Sequence, residues 1–255
     1  MVNQYGMRSE QFQLQKRVGE FRVLVFGDSV VNGGVLTDQD DLATSLLKRD
    51  LFNQDSEKKV VIGNVAAGSW GPGNWLAYAR EYGFFDADVV VLLLSSHDYT
   101  DNPTFEPLNP NTHPMSPPIS ALLEGINKYI PKYFSIGRNE NLIGSDRFAI
   151  NTGELAVNKG LTELSEFLSL AQKNVPDLVV LQHLERVEIA ERTVHPGHIL
   201  IQAICSQLGI RSISLESFFR RSIENGVDPY RDNIHLNKLG QRLIADVISD
   251  YVRRK

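Results

Sequence analysis

Residues 89–94 read VVVLLL, which is the longest unbroken aliphatic run in the chain. Four other short runs of aliphatic or β-branched residues are similar to it, at positions 21–26 (FRVLVF), 60–65 (VVIGNV), 177–181 (DLVVL) and 210–215 (IRSISL). Near-continuous apolar runs of this length are typical of strands that are buried on both faces of a parallel sheet. The runs therefore predict a sheet of about five strands.

Segments with helical spacing of apolar residues separate these runs. They begin near Leu42, Trp75, Leu155, Ile199 and Leu239. Alternation of strands and helices along a chain indicates a parallel sheet with helices packed on both faces. The predicted fold class is therefore α/β, with three layers in the order α/β/α, and we expect residues 1–255 to form a single domain.

The alternation stops between residues 99 and 153, where seven of the 11 prolines lie. Proline fixes φ and removes a backbone donor, so this stretch resists both helix and sheet interiors. A long insertion after a central strand is often a binding loop or a lid. We expect an insertion that contributes to substrate binding, with a short helix near 119–129 and apolar anchors at Phe105, Tyr129, Tyr133 and Phe134. A disordered insertion is the alternative.

The composition excludes several classes of protein. With 42% hydrophobic and 22% charged residues, the chain can bury a globular core. Its net charge of −5 argues against a protein that coats nucleic acid. The single cysteine, Cys205, excludes an internal disulfide and cysteine-rich zinc sites. No run approaches the roughly 20 apolar residues of a membrane span, and the first 20 residues contain no apolar signal-peptide core.

A serine follows the first predicted strand, in the run Gly27-Asp28-Ser29. Functional groups of parallel α/β sheets collect at the carboxyl ends of the strands, so this serine is expected in an exposed crevice. A serine that merely caps a helix is the alternative. The G-x-S-x-G elbow of α/β-hydrolases is not met, because Val31 occupies the last glycine position.

A second motif, Asp232-x-x-His235, precedes the last predicted helix. A serine hydroxyl needs a base to remove its proton, and the imidazole of such a base needs a carboxylate to fix its tautomer. Alone, this motif is better explained by an aspartate at a helix start beside a surface histidine. Together with the early Gly-Asp-Ser run, it predicts a catalytic triad of Ser29, His235 and Asp232.

With both motifs in this order, residues 21–251 resemble the SGNH/GDSL hydrolase superfamily. The resemblance implies a flavodoxin-like sheet and serine-dependent acyl transfer, with no metal and no organic cofactor. Ser29 would be the nucleophile, His235 the general base and Asp232 the residue that orients the base. Gly68, in the run 64–68 (NVAAG), matches the family's glycine after strand two. The backbone N–H groups of Gly68 and Ser29 would then form the oxyanion hole.

The superfamily also has a characteristic motif after strand three, which usually reads G-x-N-D, whereas residues 95–98 read SSHD. His97 therefore stands where the oxyanion-hole asparagine is expected. A neutral histidine can donate one N–H, so the hole could persist in altered form; a structural histidine at a strand end is the alternative. Trp70, Asn74 and Asp98 are candidate substrate-binding residues. Trp70 and Trp75 could stack on a sugar, although core packing is the favoured role for both.

Several other functions stay open. Water as the acyl acceptor makes an esterase, whereas a sugar hydroxyl makes an O-acyltransferase of exopolysaccharide modification. A catalytically weak carbohydrate-binding domain of the same fold would fit the departure of residues 95–98 from the G-x-N-D motif. A nucleotide-dependent enzyme is disfavoured, because residues 68–73 do not match G-x-G-x-x-G and no P-loop motif occurs.

Two further stretches favour structural roles. His195 and His198 could suggest a metal pair, but no carboxylate or cysteine cluster accompanies them in the sequence, and Pro196 is expected to open a helix. The mixed-charge residues 185–192 are expected to form a solvated surface that could border the crevice.

The expected partner is a small-molecule or carbohydrate acyl ester, with no nucleic acid and no membrane span. The run 3–8 (NQYGMR) resembles bacterial members of the superfamily in which it follows a membrane anchor. By that resemblance, the chain is expected to be the soluble part of a longer extracytoplasmic or periplasmic protein. A cytoplasmic enzyme is the alternative.

Overall fold

The computed structural model describes residues 2–52, 59–103, 120, 122–123 and 154–254. The chain divides into two units, Met1–Pro103 with Asn151–Lys255 and Thr104–Ile150, and the architecture below is that of the first unit. Most of the predicted insertion lies outside the described residues, including its four aromatic anchors and all but three residues of the helix predicted near 119–129. In the part of the chain that is described, no helix is long and apolar enough to cross a membrane.

The five predicted strands form one parallel sheet. Their order is β2-β1-β3-β4-β5, and every neighbouring pair is parallel. This order is the flavodoxin-like one, so the predicted fold class is confirmed. The strands are β1 (Glu20–Gly27), β2 (Lys59–Ala66), β3 (Val89–Ser95), β4 (Asp177–His183) and β5 (Arg211–Ser214).

Five of the eight described helices lie in the predicted intervals, and the apolar pattern misses the other three, Ser29–Asn32, Arg186–Glu191 and Glu216–Glu224. The described helices are α1 (Ser29–Asn32), α2 (Ala43–Phe52), α3 (Pro72–Tyr82), α4 (Glu154–Asn174), α5 (Arg186–Glu191), α6 (Pro196–Leu208), α7 (Glu216–Glu224) and α8 (Lys238–Arg253). Two single turns of 3₁₀-helix, Gln39–Asp41 and Asp98–Thr100, lie between elements. Pro196 begins α6, as its position after His195 predicts.

The two faces of the sheet carry separate apolar cores. On β1, Val23 and Val25 belong to the core with α2 and α8, whereas Leu24 and Phe26 belong to the core with α3, α4 and α6. All four side chains are buried. Burying a side chain of this size contributes roughly 1.5–3 kcal/mol, and the two cores together hold the sheet between two helical layers.

The strand order places a crevice at one point of the sheet edge. The chain leaves β1 towards β2 on one side and later returns to β3 on the other side. Ligands of open parallel sheets bind beyond the carboxyl ends of the strands where this reversal occurs. The Gly27-Asp28-Ser29 run follows β1, and His97 lies two residues after β3. The fold therefore brings these two sequence motifs to the same place.

Candidate active site

The turn that carries Ser29 depends on glycine at its start. A Cβ on Gly27 would lie 2.4 Å from Cγ2 of Val31 and 2.9 Å from the carbonyl oxygen of Leu93. Any side chain would push β1 away from β3 or from α1. Gly27 therefore allows the strand to end in a tight turn, with Ser29 as the first residue of α1.

Two side chains hold this turn in place. The buried indole of Trp75 donates from Nε1 to the carbonyl oxygen of Gly27 at 2.9 Å. Asp28 is also buried, and its Oδ1 accepts from the backbone N–H of Val30 at 2.9 Å. Trp75 thus packs in the core and anchors the turn that carries Ser29, a role that only the three-dimensional contact reveals.

The structure brings Ser29, His235 and Asp232 together. Ser29 Oγ lies 3.0 Å from His235 Nε2, within the reach expected of a nucleophile and its base. His235 Nδ1 lies 2.9 Å from Asp232 Oδ2 on the other side of the ring. This arrangement fits the tautomer in which Nδ1–H donates to Asp232 and Nε2 accepts the serine hydroxyl.

Asp232 is oriented by the backbone of its own turn. Its Oδ1 accepts from the N–H groups of Ile234 at 2.9 Å and His235 at 2.7 Å. Burial alone would raise the pKa of Asp232, but these hydrogen bonds and the imidazole of His235 outweigh burial and lower the pKa. The carboxylate is therefore ionised at neutral pH and can stabilise an imidazolium at His235.

The segment between α7 and α8 is a folded loop. Tyr230 and Leu236 form an antiparallel β-bridge, and the N–H of Arg231 donates to the carbonyl oxygen of His235 at 2.8 Å. Asn237 closes the loop by capping the first turn of α8 with its side-chain oxygen. Because both ends of the loop are tied, the imidazole of His235 is presented to Ser29 from a fixed backbone.

Two backbone N–H groups are candidates for the oxyanion hole. The N–H of Ser29 lies at the first position of α1, where a helix supplies no acceptor. Gly68 lies just beyond β2, and a Cβ there would meet no atom within 4 Å, so this residue borders open space. Asn32 donates from Nδ2 to the carbonyl oxygen of Ala66 at 2.8 Å, which ties α1 to the end of β2. A hole built from the two N–H groups stays a prediction.

His97 is held between two carboxylates. Its Nδ1 lies 3.2 Å from Glu185 Oε1, and its Nε2 lies 3.4 Å from Asp98 Oδ1. Burial would lower the pKa of His97, but the hydrogen bond to Glu185 and the nearby acidic residues outweigh burial and raise the pKa to about 9. The structure therefore favours a charged His97 with both nitrogens engaged over the neutral donor that the motif predicts.

The three candidate substrate-binding residues differ in exposure. Trp70 is half-buried, with its ring 5.9 Å from that of Tyr78. Asn74 is half-buried and uses Oδ1 to accept from the N–H of Gly71 at 3.1 Å. Asp98 is 0% exposed, so the structure argues against its expected contact with substrate, because no solvent-facing surface of this residue is available. Binding roles for Trp70 and Asn74 stay predictions.

Arg8 holds the loop that follows α1, a role that the sequence alone does not show. Its guanidinium donates to the carbonyl oxygens of Asn32 at 2.8 Å, Gly34 at 2.7 Å and Thr37 at 2.6 Å. This loop carries the exposed apolar residues Val35 and Leu36. Arg8 therefore fixes the backbone of a surface loop that begins three residues after Ser29.

The mixed-charge stretch 185–192 is not a uniformly solvated surface, and that prediction is wrong for Glu188. This side chain is 0% exposed, and its two oxygens accept from the N–H groups of His195 at 2.8 Å and Glu185 at 2.9 Å. The buried carboxylate therefore fixes both ends of the α5 segment. An alternating charge pattern gives no indication of such backbone hydrogen bonds.

Among the described residues, two groups of histidine and carboxylate side chains have ligand atoms within 4.8 Å of one another. They are Asp28 with His97 and Asp98, and Glu185 with Glu188 and His195. Backbone N–H groups already bind Asp28, Asp98 and both oxygens of Glu188. Both oxygens of Glu188 are therefore already used within the protein, and Oδ1 of Asp98 lies beside Nε2 of His97.

Comparisons with known proteins give matches in structure only. No family model and no curated protein matches the sequence. A two-domain esterase (CEX) active on acetylated mannans matches with a TM-score of 0.59 and 10% identity, over 93% of this chain and 50% of that one. The present chain therefore spans about half the length of that esterase.

Two further solved structures match over nearly the whole length of their own chains. The acetyl xylan esterase AlAXEase gives a TM-score of 0.57 and 16% identity, over 91% of this chain and 100% of that one. A catalytic mutant of Axe2, an acetylxylan esterase from Geobacillus stearothermophilus, gives a TM-score of 0.58 and 9% identity, over 91% of this chain and 94% of that one. At such identities the likeness shows a shared fold.

Proposed function

We propose that this chain, which has the fold of SGNH hydrolases, is a serine-dependent esterase that removes acyl groups, in particular acetyl, from a carbohydrate. The observation that carries the proposal is the hydrogen-bonded path from Ser29 Oγ to His235 Nε2 (3.0 Å) and from His235 Nδ1 to Asp232 (2.9 Å). Carbohydrate esters are chosen because the matching structures are esterases of acetylated xylan and mannan.

The reaction would proceed through an acyl-Ser29 intermediate. Ser29 Oγ attacks the ester carbonyl carbon while His235 Nε2 removes the hydroxyl proton, and Asp232 stabilises the resulting imidazolium. Collapse of the tetrahedral intermediate breaks the bond to the sugar oxygen, which receives the proton from His235. A water molecule then attacks the acyl-serine while His235 Nε2 removes its proton. His235 returns that proton to Ser29 Oγ as the carboxylic acid leaves, which restores Ser29.

The N–H groups of Ser29 and Gly68 would bind the oxyanion of each tetrahedral intermediate. A preorganised donor of this kind is typically worth about 3–4 kcal/mol in the transition state. The side chains of His235 and Asp232 are 34% and 51% exposed. The base is thus accessible from solvent, as both a bulky sugar substrate and the hydrolytic water require.

The test is release of acetate from acetylated xylo- or manno-oligosaccharides and from 4-nitrophenyl acetate. We expect Ser29→Ala and His235→Ala each to lower kcat by about three orders of magnitude or more. The double variant should be no worse than either single one, because the two residues act as a unit. Ser206→Ala, an exposed serine on α6, is the matched control and should keep wild-type activity.

Other outcomes would contradict the proposal or identify a different function. Unchanged hydrolysis by Ser29→Ala would contradict the serine mechanism. Ser29-dependent transfer of acetyl to an added sugar hydroxyl, in preference to water, would identify an O-acyltransferase. Binding of the oligosaccharide without any turnover would identify a carbohydrate-binding domain.

A further inference from the structure

One carboxylate connects the two halves of the candidate active site. Glu185 Oε1 lies 3.2 Å from Nδ1 of His97, which follows β3. Glu185 Oε2 accepts from Nδ2 of Asn233 at 2.6 Å, and Asn233 follows Asp232 of the triad directly. Glu185 thus bridges the position of the expected oxyanion-hole asparagine and the loop that presents the catalytic base.

The start of α5 holds that loop through two further hydrogen bonds. The N–H of Arg186 donates to the carbonyl oxygen of Asn233 at 2.7 Å. The N–H of Val187 donates to the side-chain oxygen of Asn233 at 3.2 Å. Asn233 is therefore fixed through both its backbone and its side chain, which limits movement of the neighbouring Asp232.

The charges around His97 single out Glu185 as its partner. The titratable groups that face the ring come from three strand ends and one helix start: Asp28 after β1, Asp98 and Asp101 after β3, His183 at the end of β4 and Glu185 before α5. Burial and the charge of Asp28 raise the pKa of Asp98. The hydrogen bond with His97 lowers the pKa of Glu185. Glu185 is therefore the carboxylate that stays ionised in direct contact with the ring.

We propose that Glu185 is a positioning residue that keeps His97 in its charged form and locks it to the loop that carries His235. This inference rests on the proposed function and deepens it. One carboxylate oxygen or ring nitrogen from each of Asp28, His97 and Asp98 lies within 4.8 Å of the other two, and Asp28 directly precedes the proposed nucleophile. A fixed positive charge at this place stabilises negative charge that develops near Ser29. His97 then replaces the missing asparagine through its charge.

The charge state of His97 can be measured without any substrate. In ¹⁵N-detected NMR of the histidine rings, with the His97 signals assigned by His97→Gln, we expect His97 to titrate near pH 9 in the wild type. Glu185→Gln keeps a hydrogen-bond acceptor but removes the charge, so the midpoint should fall by about one pH unit or more. Glu191→Gln, at the exposed end of the same helix, should leave it unchanged. An unchanged midpoint in Glu185→Gln would overturn the proposal.

Kinetics separate charge from loop anchoring. Glu185→Gln should lower kcat about 10-fold with little change in KM, and activity should be lost at a lower pH on the alkaline side, because His97 deprotonates earlier. Asn233→Ala cuts the loop contact without removing charge, so it should lower kcat and leave the alkaline limit in place. If Glu185→Gln lowered kcat equally at all pH values and also lowered the melting temperature, Glu185 would have only a structural role.

The outcomes also distinguish this inference from the proposed function. Full activity of Ser29→Ala would refute the serine mechanism, whereas an inactive Ser29→Ala with an unshifted Glu185→Gln profile would refute the role of Glu185 alone. Activity that is lost in EDTA and restored by a divalent cation, together with loss of the His97 titration when that cation is added, would overturn the proposal, because His97 would then bind the metal ion.

Discussion

Replacing Asp232 by Asn tests whether Asp232 orients the proposed catalytic base, His235, with almost no change in shape. Asp232 uses Oδ1 for the N–H groups of Ile234 and His235, and Oδ2 for the imidazole at 2.9 Å. In Asp232→Asn the remaining oxygen can keep both backbone contacts. The new NH₂ group then faces His235 Nδ1 and requires it to be an acceptor, so the ring proton moves to Nε2.

The expected loss follows from that change of tautomer. A proton on Nε2 points at Ser29 Oγ, 3.0 Å away, and the ring can no longer accept the serine proton. Loss of the correct tautomer in a triad costs about 10⁴ in kcat, which corresponds to about 5.5 kcal/mol of transition-state stabilisation. The melting temperature should shift by less than about 2 °C, because the packing and the backbone contacts are retained.

The assay compares kcat for 4-nitrophenyl acetate with the thermal melting temperature of each variant. Asp246→Asn is the matched control, since it removes the same charge from an exposed position on α8, where Asp246 pairs with Arg242. Both variants should melt like the wild type, and only Asp232→Asn should lose turnover. An Asp232→Asn variant with more than about one tenth of wild-type kcat would refute the assigned role of Asp232.

Three other contacts give predictions of their own. Trp75→Phe removes the buried donor to Gly27, so the free energy of unfolding in urea should fall by about 1–3 kcal/mol, and a smaller loss would contradict the anchoring role. Glu188 has a pKa of about 2, because hydrogen bonds outweigh burial. Its stabilisation is present above about pH 4.5 and is lost as the pH falls towards 2, so Glu188→Gln should flatten the stability curve across that window. Arg8→Ala releases the loop at residues 32–37 and should lower kcat about 10-fold, with little rescue by Lys, whose single ammonium cannot reproduce the planar fork.

The sequence is most informative where a local pattern sets the structure. The five apolar runs predict both ends of all five strands to within two residues, because strands buried on both faces must be apolar throughout. Gly27, Ser29, Asp232 and His235 are also predictable, since short motifs with a known chemical purpose contain them. Amphipathic α7 is missed, because no apolar run marks it beside the stronger pattern of β5.

Contacts between distant parts of the chain are not encoded in any local pattern. Glu185 and Glu188 lie in a charged stretch that indicates a solvated surface, yet one contacts His97 and the other is fully buried. Asp98 follows a strand end where functional residues collect, but it is buried. Arg8 lies 24 residues before Asn32, the first carbonyl that it binds. Each of these roles depends on which groups the fold brings together, and no local sequence pattern specifies those contacts.

Acylation of Ser29 is the step that the proposed mechanism requires, and mass spectrometry of the quenched reaction detects it. The enzyme is mixed with 4-nitrophenyl acetate, quenched in acid within milliseconds to seconds, digested and sequenced. We expect an acetyl group on the peptide that contains Ser29, absent in Ser29→Ala and strongly reduced in His235→Ala. Hydrolysis at the wild-type rate with no acetylated Ser29 at any time, or with an acetyl group on a different side chain that turns over, would contradict the proposed mechanism.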